Sequence, residues 1–309
     1  MAEMEHRPLG RTGRTVSVLG LGCASYWAKP RFSEARARAV LAAALEAGIT
    51  VLDTGASYAN GHAEQRLARL LRELGADPNA LLIGTKAGSI RNSQGRLVKD
   101  FSPRTVTAQV RESLDRLGLE RLPLLQLHGP TTADLTDDLL TALERLRTDG
   151  LVDLLGINGD PAVIRHATGR APFDVFMPFV SVMRPDNVPL MQAAADAGQG
   201  VLVGEPLGRM AFAPPLAHWL TRPSGMWYLA RALRHGPAPL LRARALRPAL
   251  QAPGWTPAEL ALAWVLEKPG VSSAVFGTTS PDHVTGLAKA AARPLPDTAR
   301  TAIARVLKS

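Results

Sequence analysis

Short apolar runs alternate with longer stretches of helical periodicity along most of this chain. Thr50-Val-Leu-Asp53, Leu81-Leu-Ile-Gly-Thr-Lys86, Pro123-Leu-Leu-Gln-Leu-His128, Val152–Ile157, Asp174–Phe179, Val201–Glu205 and Val271–Phe276 read as strands. The intervening segments carry apolar residues three and four apart, as in Ala39, Val40, Ala43 and Ala44, or Leu139, Leu140, Leu143 and Leu146. Punctuation agrees with this division. Ser33, Ser102-Pro103 and Thr256-Pro257 are helix starts, and Gly48, Gly118 and Gly150 are stops. Ahead of the series, Leu9-Gly-Arg-Thr-Gly13 and Val16-Ser-Val-Leu19 suggest a hairpin within residues 6–19.

Gly20-Leu-Gly22 leads into the first of eight strand–helix units. Such alternation predicts a parallel sheet, and eight units predict a closed one. The expected fold is therefore α/β, a (β/α)8 TIM barrel with an N-terminal β-hairpin, spanning residues 1–309 as one domain. An open doubly wound sheet is the alternative, but it would place a glycine-rich nucleotide turn after its first strand. Gly20-Leu-Gly-Cys-Ala-Ser25 has only part of that pattern.

Composition adds limits. The 309 residues are 46% hydrophobic and 20% charged, enough for a sizeable core, with no low-complexity linker. The single cysteine, Cys23, excludes an internal disulfide and a cysteine-rich metal centre, and no metal site is expected. The first residues lack an apolar signal core and no stretch is long enough to span a bilayer, so a cytoplasmic protein without a membrane partner is expected. A formal charge of +9 raises the question of nucleic acid. Arg66, Arg69 and Arg72 are spread along a helical segment, however. The densest group, Arg231 to Arg247, is interrupted by Pro237 and Pro239 and has no aromatic platform. No nucleic-acid partner is expected; an anionic small molecule such as a nucleotide would suit the charge.

Chemistry concentrates in residues 50–64, Thr-Val-Leu-Asp-Thr-Gly-Ala-Ser-Tyr-Ala-Asn-Gly-His-Ala-Glu. A carboxylate, Asp53, ends a strand, and Tyr58 follows in a loop of small residues before a helix. This stretch resembles the signature of the aldo-keto reductase family, roughly Asp-Thr-Ala-x-x-Tyr-Gly-x-Gly-x-x-Glu. Asp53, Thr54, Tyr58, Gly61 and Glu64 match in register, while Gly55 and Ala59 depart. The resemblance implies a catalytic tetrad of Asp53, Tyr58, Lys86 and His128, the last two ending the next two strands. Each has a bland reading: a loop-capping aspartate, a packed tyrosine, a satisfied core histidine. Order and spacing together favour the functional one. Hydride addition to a carbonyl leaves charge on oxygen and requires a proton donor. A phenol ionises near pH ~10, and an adjacent ammonium favours its phenolate. The implied roles are therefore Tyr58 as general acid, Lys86 tuning it, Asp53 holding the lysine, and His128 donating to the carbonyl oxygen.

The same resemblance implies NADPH, with NADH possible, and a small carbonyl substrate. Cofactor contacts carried over are Cys23, Asn158, Gly159, Met177, Glu205, Pro206, Leu207, Gly208 and Arg209. At the last strand's end they are Gly277, Thr278, Thr279 and His283. Several depart from the family pattern. Met177 stands where an amide is usual, Gly204 where an aromatic stacks on nicotinamide, and Leu287 where an asparagine meets adenine. Weaker cofactor binding than usual is the expectation. Trp27 and Trp219 are candidate substrate-lining residues, with Trp227 and Tyr228 nearby. The implied function is NADPH-dependent reduction of an aldehyde or ketone. The alternatives are a non-redox lyase, dehydratase or isomerase that kept the tetrad, and a non-catalytic binding subunit. Oligomeric state has no sequence signal.

Overall fold

The computed structural model describes residues 3–208 and 238–308, with side chains of the second segment from residue 241. Arg209, Trp219, Trp227 and Tyr228 lie outside the described residues. The expected hairpin is present, with β1 (His6–Pro8) antiparallel to β2 (Thr15–Ser17). Eight parallel strands then close into a barrel: β3 (Leu19–Gly22), β4 (Val51–Asp53), β5 (Leu82–Ala87), β8 (Leu122–His128), β9 (Val152–Asn158), β10 (Val175–Met177), β11 (Gly200–Gly204) and β12 (Ser273–Phe276). Pairing of Ala274 with Leu19 and Phe276 with Leu21 joins the last strand to the first.

Helix starts follow the punctuation. Ser33, Ser102 and Thr256 each accept a backbone N–H from the first turn of the helix that follows. Gly118 closes the helix Pro103–Leu117 in a left-handed conformation. The apolar stripes of these helices cover the outside of the barrel and form the larger core. A second cluster fills the inside: Leu9, Val16, Val51, Leu82, Leu124, Leu154, Val175, Met177, Leu202 and Val275. Leu9 comes from the hairpin, which therefore closes the N-terminal end of the barrel. Arg7 fastens it by donating to the carbonyls of Leu266 and Val271 at 3.0 and 3.2 Å.

Three strand ends differ from expectation. β10 stops at Met177 rather than Phe179, because Pro178 has no N–H for the ladder. β11 stops at Gly204 because Glu205 adopts φ +53. β12 begins at Ser273, two residues late. A small antiparallel pair, β6 (Ser89–Arg91) and β7 (Leu97–Lys99), was not expected; three-residue strands are too short to show a period. No described helix is long and apolar enough to cross a membrane.

Candidate active site

Asp53, Lys86 and His128 come from the C-terminal halves of three neighbouring strands, β4, β5 and β8, so the barrel presents them at one mouth. Lys86 and Asp53 are 2% and 6% exposed. Lys86 Nζ donates to Asp53 Oδ2 at 2.5 Å and to the Thr54 carbonyl at 2.7 Å. The other carboxylate oxygen accepts from Gln126 Nε2 at 3.0 Å. The ammonium stands 5.1 Å from the Tyr58 ring centroid and hydrogen bonds with its hydroxyl. The Tyr58 ring meets His128 edge-on, centroids 5.5 Å apart at 90°. All four candidate catalytic residues are thus one cluster.

The loop carrying Tyr58 explains two departures from the family signature. At Gly55 a Cβ would lie 3.3 Å from the Tyr58 ring, so glycine lets the ring settle closely over Lys86. Ala59, where the signature has glycine, still adopts φ +50, and Asn60 follows at φ +57. A left-handed alanine costs roughly 1 kcal/mol. The path is kept despite the residue.

Electrostatics follow from this packing. Burial alone disfavours the Lys86 ammonium, but the Asp53 carboxylate and the Tyr58 phenol outweigh it and hold its pKa above the ordinary 10.5. His128 is pushed the other way, from 6.5 to about 3, first by burial and then by the charges of Lys86 and Lys99. Lys99 Nζ donates to the His128 carbonyl and, at 2.9 Å, to Ser89 Oγ. His128 is therefore neutral through the physiological range. Ser57 Oγ lies 3.5 Å from its Nδ1, the side on which a hydroxyl donor leaves Nε2 carrying the proton.

This gives a pH expectation. Because the folded pKa is depressed, the unfolded chain takes up a proton at His128 between pH 6.5 and about 3 while the folded chain does not. Its contribution to stability is full above pH 6.5 and lost as pH falls through that window. The catalytic rate should have no titration near pH 6.5 that vanishes in His128→Gln. Paired pH–rate and pH–unfolding profiles of the two proteins check both points.

The carried-over cofactor positions are more mixed. Cys23 is fully buried. Its N–H donates to the Asp53 carbonyl at 2.7 Å, its carbonyl accepts from Thr54, and burial, followed by the Asp53 charge, raises its thiol pKa. Trp27 packs edge-on against Phe32 in the core, fully buried, rather than lining the mouth. Met177 belongs to the interior cluster. The space beside Gly204 is taken: a Cβ there would come within 2.9 Å of the Phe179 ring. Gly208 has φ +60 and closes a turn onto the Glu205 carbonyl, with Pro206 and Leu207 between them. Gly159 packs against Val163.

Other groups at the mouth fit a nicotinamide dinucleotide. Asn158 pairs across the ladder with His128, and its side-chain amide makes only a long 3.4 Å bond to the Met177 carbonyl. Gly277 and Thr279 are exposed in the turn after β12, beside buried Thr278. Ser280 makes no side-chain cap on the helix Pro281–Ala291, which leaves first-turn N–H groups for a phosphate. His283 is held by Thr278, Nδ1 to Oγ1 at 3.0 Å. Among the described residues no group of three His, Cys, Asp or Glu is placed to hold a metal ion. The widest groove, about 660 Å³, lies elsewhere, on the outer face around Lys29, Arg66 and Arg69, and has no part in this chemistry.

Two participants had not been singled out in the sequence. Gln126 had a signal: a polar residue in an apolar strand, two positions from His128 and so on the same face. Ser57 had none beyond its place next to Tyr58.

The aldo/keto reductase family profile matches residues 18–308. A solved structure of the aldo-keto reductase AKR11C1 from Bacillus halodurans, in its holo form, superposes with a TM-score of 0.79 at 28% identity, over 98% of this chain and 96% of that one. D-threo-aldose 1-dehydrogenase from a Pseudomonas species is 30% identical over 217 residues, 62% of this chain and 65% of that protein. L-galactose dehydrogenase from Arabidopsis thaliana is 28% identical over 217 residues, 67% of this chain and 66% of that protein. The matches to these two enzymes thus span less than two thirds of their length. With profile, barrel and full-length structural likeness in agreement, the chain is an oxidoreductase of the aldo/keto reductase family.

Proposed function

We propose that this protein reduces the carbonyl of a small aldehyde or ketone with a nicotinamide dinucleotide, NADPH or NADH. The observation that carries this reading is the buried Asp53–Lys86 pair set beneath Tyr58, with neutral His128 edge-on to the same ring. The nicotinamide supplies the hydride. Tyr58 gives its hydroxyl proton to the developing alkoxide, and the Lys86 ammonium stabilises the phenolate left behind. Asp53 keeps that ammonium charged and aimed. His128, donating from Nε2, holds the carbonyl oxygen beside the phenol. Asn158, the Pro206–Gly208 turn, and Gly277 to Thr279 with the following helix N-terminus are the groups suited to the cofactor.

A second reading runs the same machinery in reverse, with Tyr58 as base in oxidation of a sugar. The names of the two sequence relatives favour it, D-threo-aldose 1-dehydrogenase and L-galactose dehydrogenase. Both readings need the same cofactor class.

Calorimetric titration with NADPH and NADH tests them. Binding of both is expected, about a hundredfold weaker than at a site with intact nicotinamide contacts. A hydrogen bond and an aromatic contact are each worth on the order of 1 kcal/mol, and three lost contacts add to that factor. Selectivity for NADPH should be modest, since His283 is the candidate base near a 2′-phosphate and a neutral imidazole offers little to it. Binding to neither nucleotide would refute the redox reading.

A further inference from the structure

Gln126 is fully buried in the barrel interior, although its strand neighbours Leu124, Leu125 and Leu127 are apolar. Its ladder partners are Lys86 on β5 and Gly156 on β9. The side chain lies across the floor of the site because glycines flank it. A Cβ at Gly84 would stand 3.5 Å from Gln126 Nε2 and 3.7 Å from Asp53 Oδ1, and one at Gly156 would stand 3.4 Å from Gln126 Cγ. The amide makes one bond, Nε2 to Asp53 Oδ1, while Oε1 is buried with no partner. Turning the amide over would set Oε1 against the carboxylate, so its orientation is imposed by Asp53.

An interior position that only needed filling would be better served by leucine or methionine, which leave no orphaned oxygen. The amide must therefore act through its single bond. That bond occupies the carboxylate oxygen which Lys86 does not use. With one donor on each oxygen, the Asp53 carboxylate cannot swing about its own axis. Two ammonium N–H groups are then fixed, on Asp53 and the Thr54 carbonyl, and the third faces Tyr58.

We infer that Gln126 is a positioning residue for proton transfer, holding Asp53 in the plane that aims Lys86 at the Tyr58 hydroxyl. The inference rests on the reading of Tyr58 as proton donor. Charged groups facing Gln126 are Asp53 from β4 and Lys86 from β5. The other titratable groups around this cluster are Tyr58, Cys23 and His128.

The test compares the parent with Gln126→Leu, Gln126→Glu and Tyr58→Phe, reducing 4-nitrobenzaldehyde with NADPH across pH 5–9. Gln126→Leu should lower kcat about ten- to a hundredfold, the scale of a lost hydrogen bond to a charged group, with KM little changed. Gln126→Glu is near-isosteric. Its new carboxyl donates to Asp53 while protonated, and two adjacent carboxylates repel once it ionises. Activity should therefore be close to parental at the acid end and fall as pH rises, a dependence that mere space-filling would not produce. Parental kcat with a parental pH profile in Gln126→Leu would overturn the inference, as would equal loss at every pH in Gln126→Glu. Full activity in Tyr58→Phe would instead overturn the functional reading beneath it. Should the aldehyde not be reduced, tyrosinate absorbance of the unliganded protein decides. The protein has three tyrosines, and Tyr58→Phe identifies the contribution of Tyr58. In Gln126→Leu that contribution should appear at higher pH, and an unshifted titration would overturn the inference.

Discussion

Tyr58→Phe lowers turnover by roughly 10²- to 10⁴-fold, the range for removing a general acid from a proton-transfer step, and leaves the fold intact. The phenylalanine ring keeps the edge contact with His128 and the position over the Lys86 ammonium. Tyr58 is only partly buried, so loss of its hydroxyl does not strand a polar group in the core. Unfolding midpoints of parent and variant should therefore nearly coincide while rates separate. A variant turning over at the parental rate would remove Tyr58 from the mechanism. The same comparison serves a non-redox reaction on this scaffold, since that too would draw its proton from Tyr58.

Lys86→Met is the larger structural change. It removes one partner of a buried ion pair and leaves the Asp53 carboxylate with Gln126 as its remaining side-chain donor. Breaking such a pair from one side costs about 3–5 kcal/mol, because a charge is left in a poorly solvating interior. Urea unfolding should show a loss of that size, accompanied by a fall in activity comparable to Tyr58→Phe. The double variant with Asp53→Asn should recover part of the stability and none of the activity. Alkaline pH offers a second check. The folded pKa of Lys86 lies above its ordinary 10.5, so its contribution to stability is full below that value and is lost as pH rises through the folded pKa. That component should be absent from the variant. Equal stability of Lys86→Met and parent would show that the pair contributes nothing to the fold.

Asp53, Lys86 and His128 were legible because each ends an apolar run, and a parallel barrel turns every strand end toward one face. The hairpin was legible from its glycines and the two runs they separate. Phe179 was not. Its strand stops at Pro178, and its ring reaches Gly204 only through a neighbouring strand, a contact without local periodicity. Trp27 was misplaced for a related reason: an aromatic after a strand suits a mouth or a core equally, and the packing of Phe32 decided for the core. Ala59 shows the reverse. A departure from the glycine of the signature suggested a changed loop, yet the backbone there is left-handed all the same.

Closure of the barrel by Ala274 on Leu19 has a consequence for a chain still being synthesised. Asp53, Lys86 and His128 stand on three mutually paired strands and can meet long before Ser273–Phe276 leaves the ribosome. Until then the nascent sheet keeps two open edges, and pairing partners this distant in sequence meet slowly. The hairpin waits as well, since the carbonyls that receive Arg7 belong to Leu266 and Val271. The proton-handling cluster is thus an early product of the chain, and the dry interior that gives it effect arrives last.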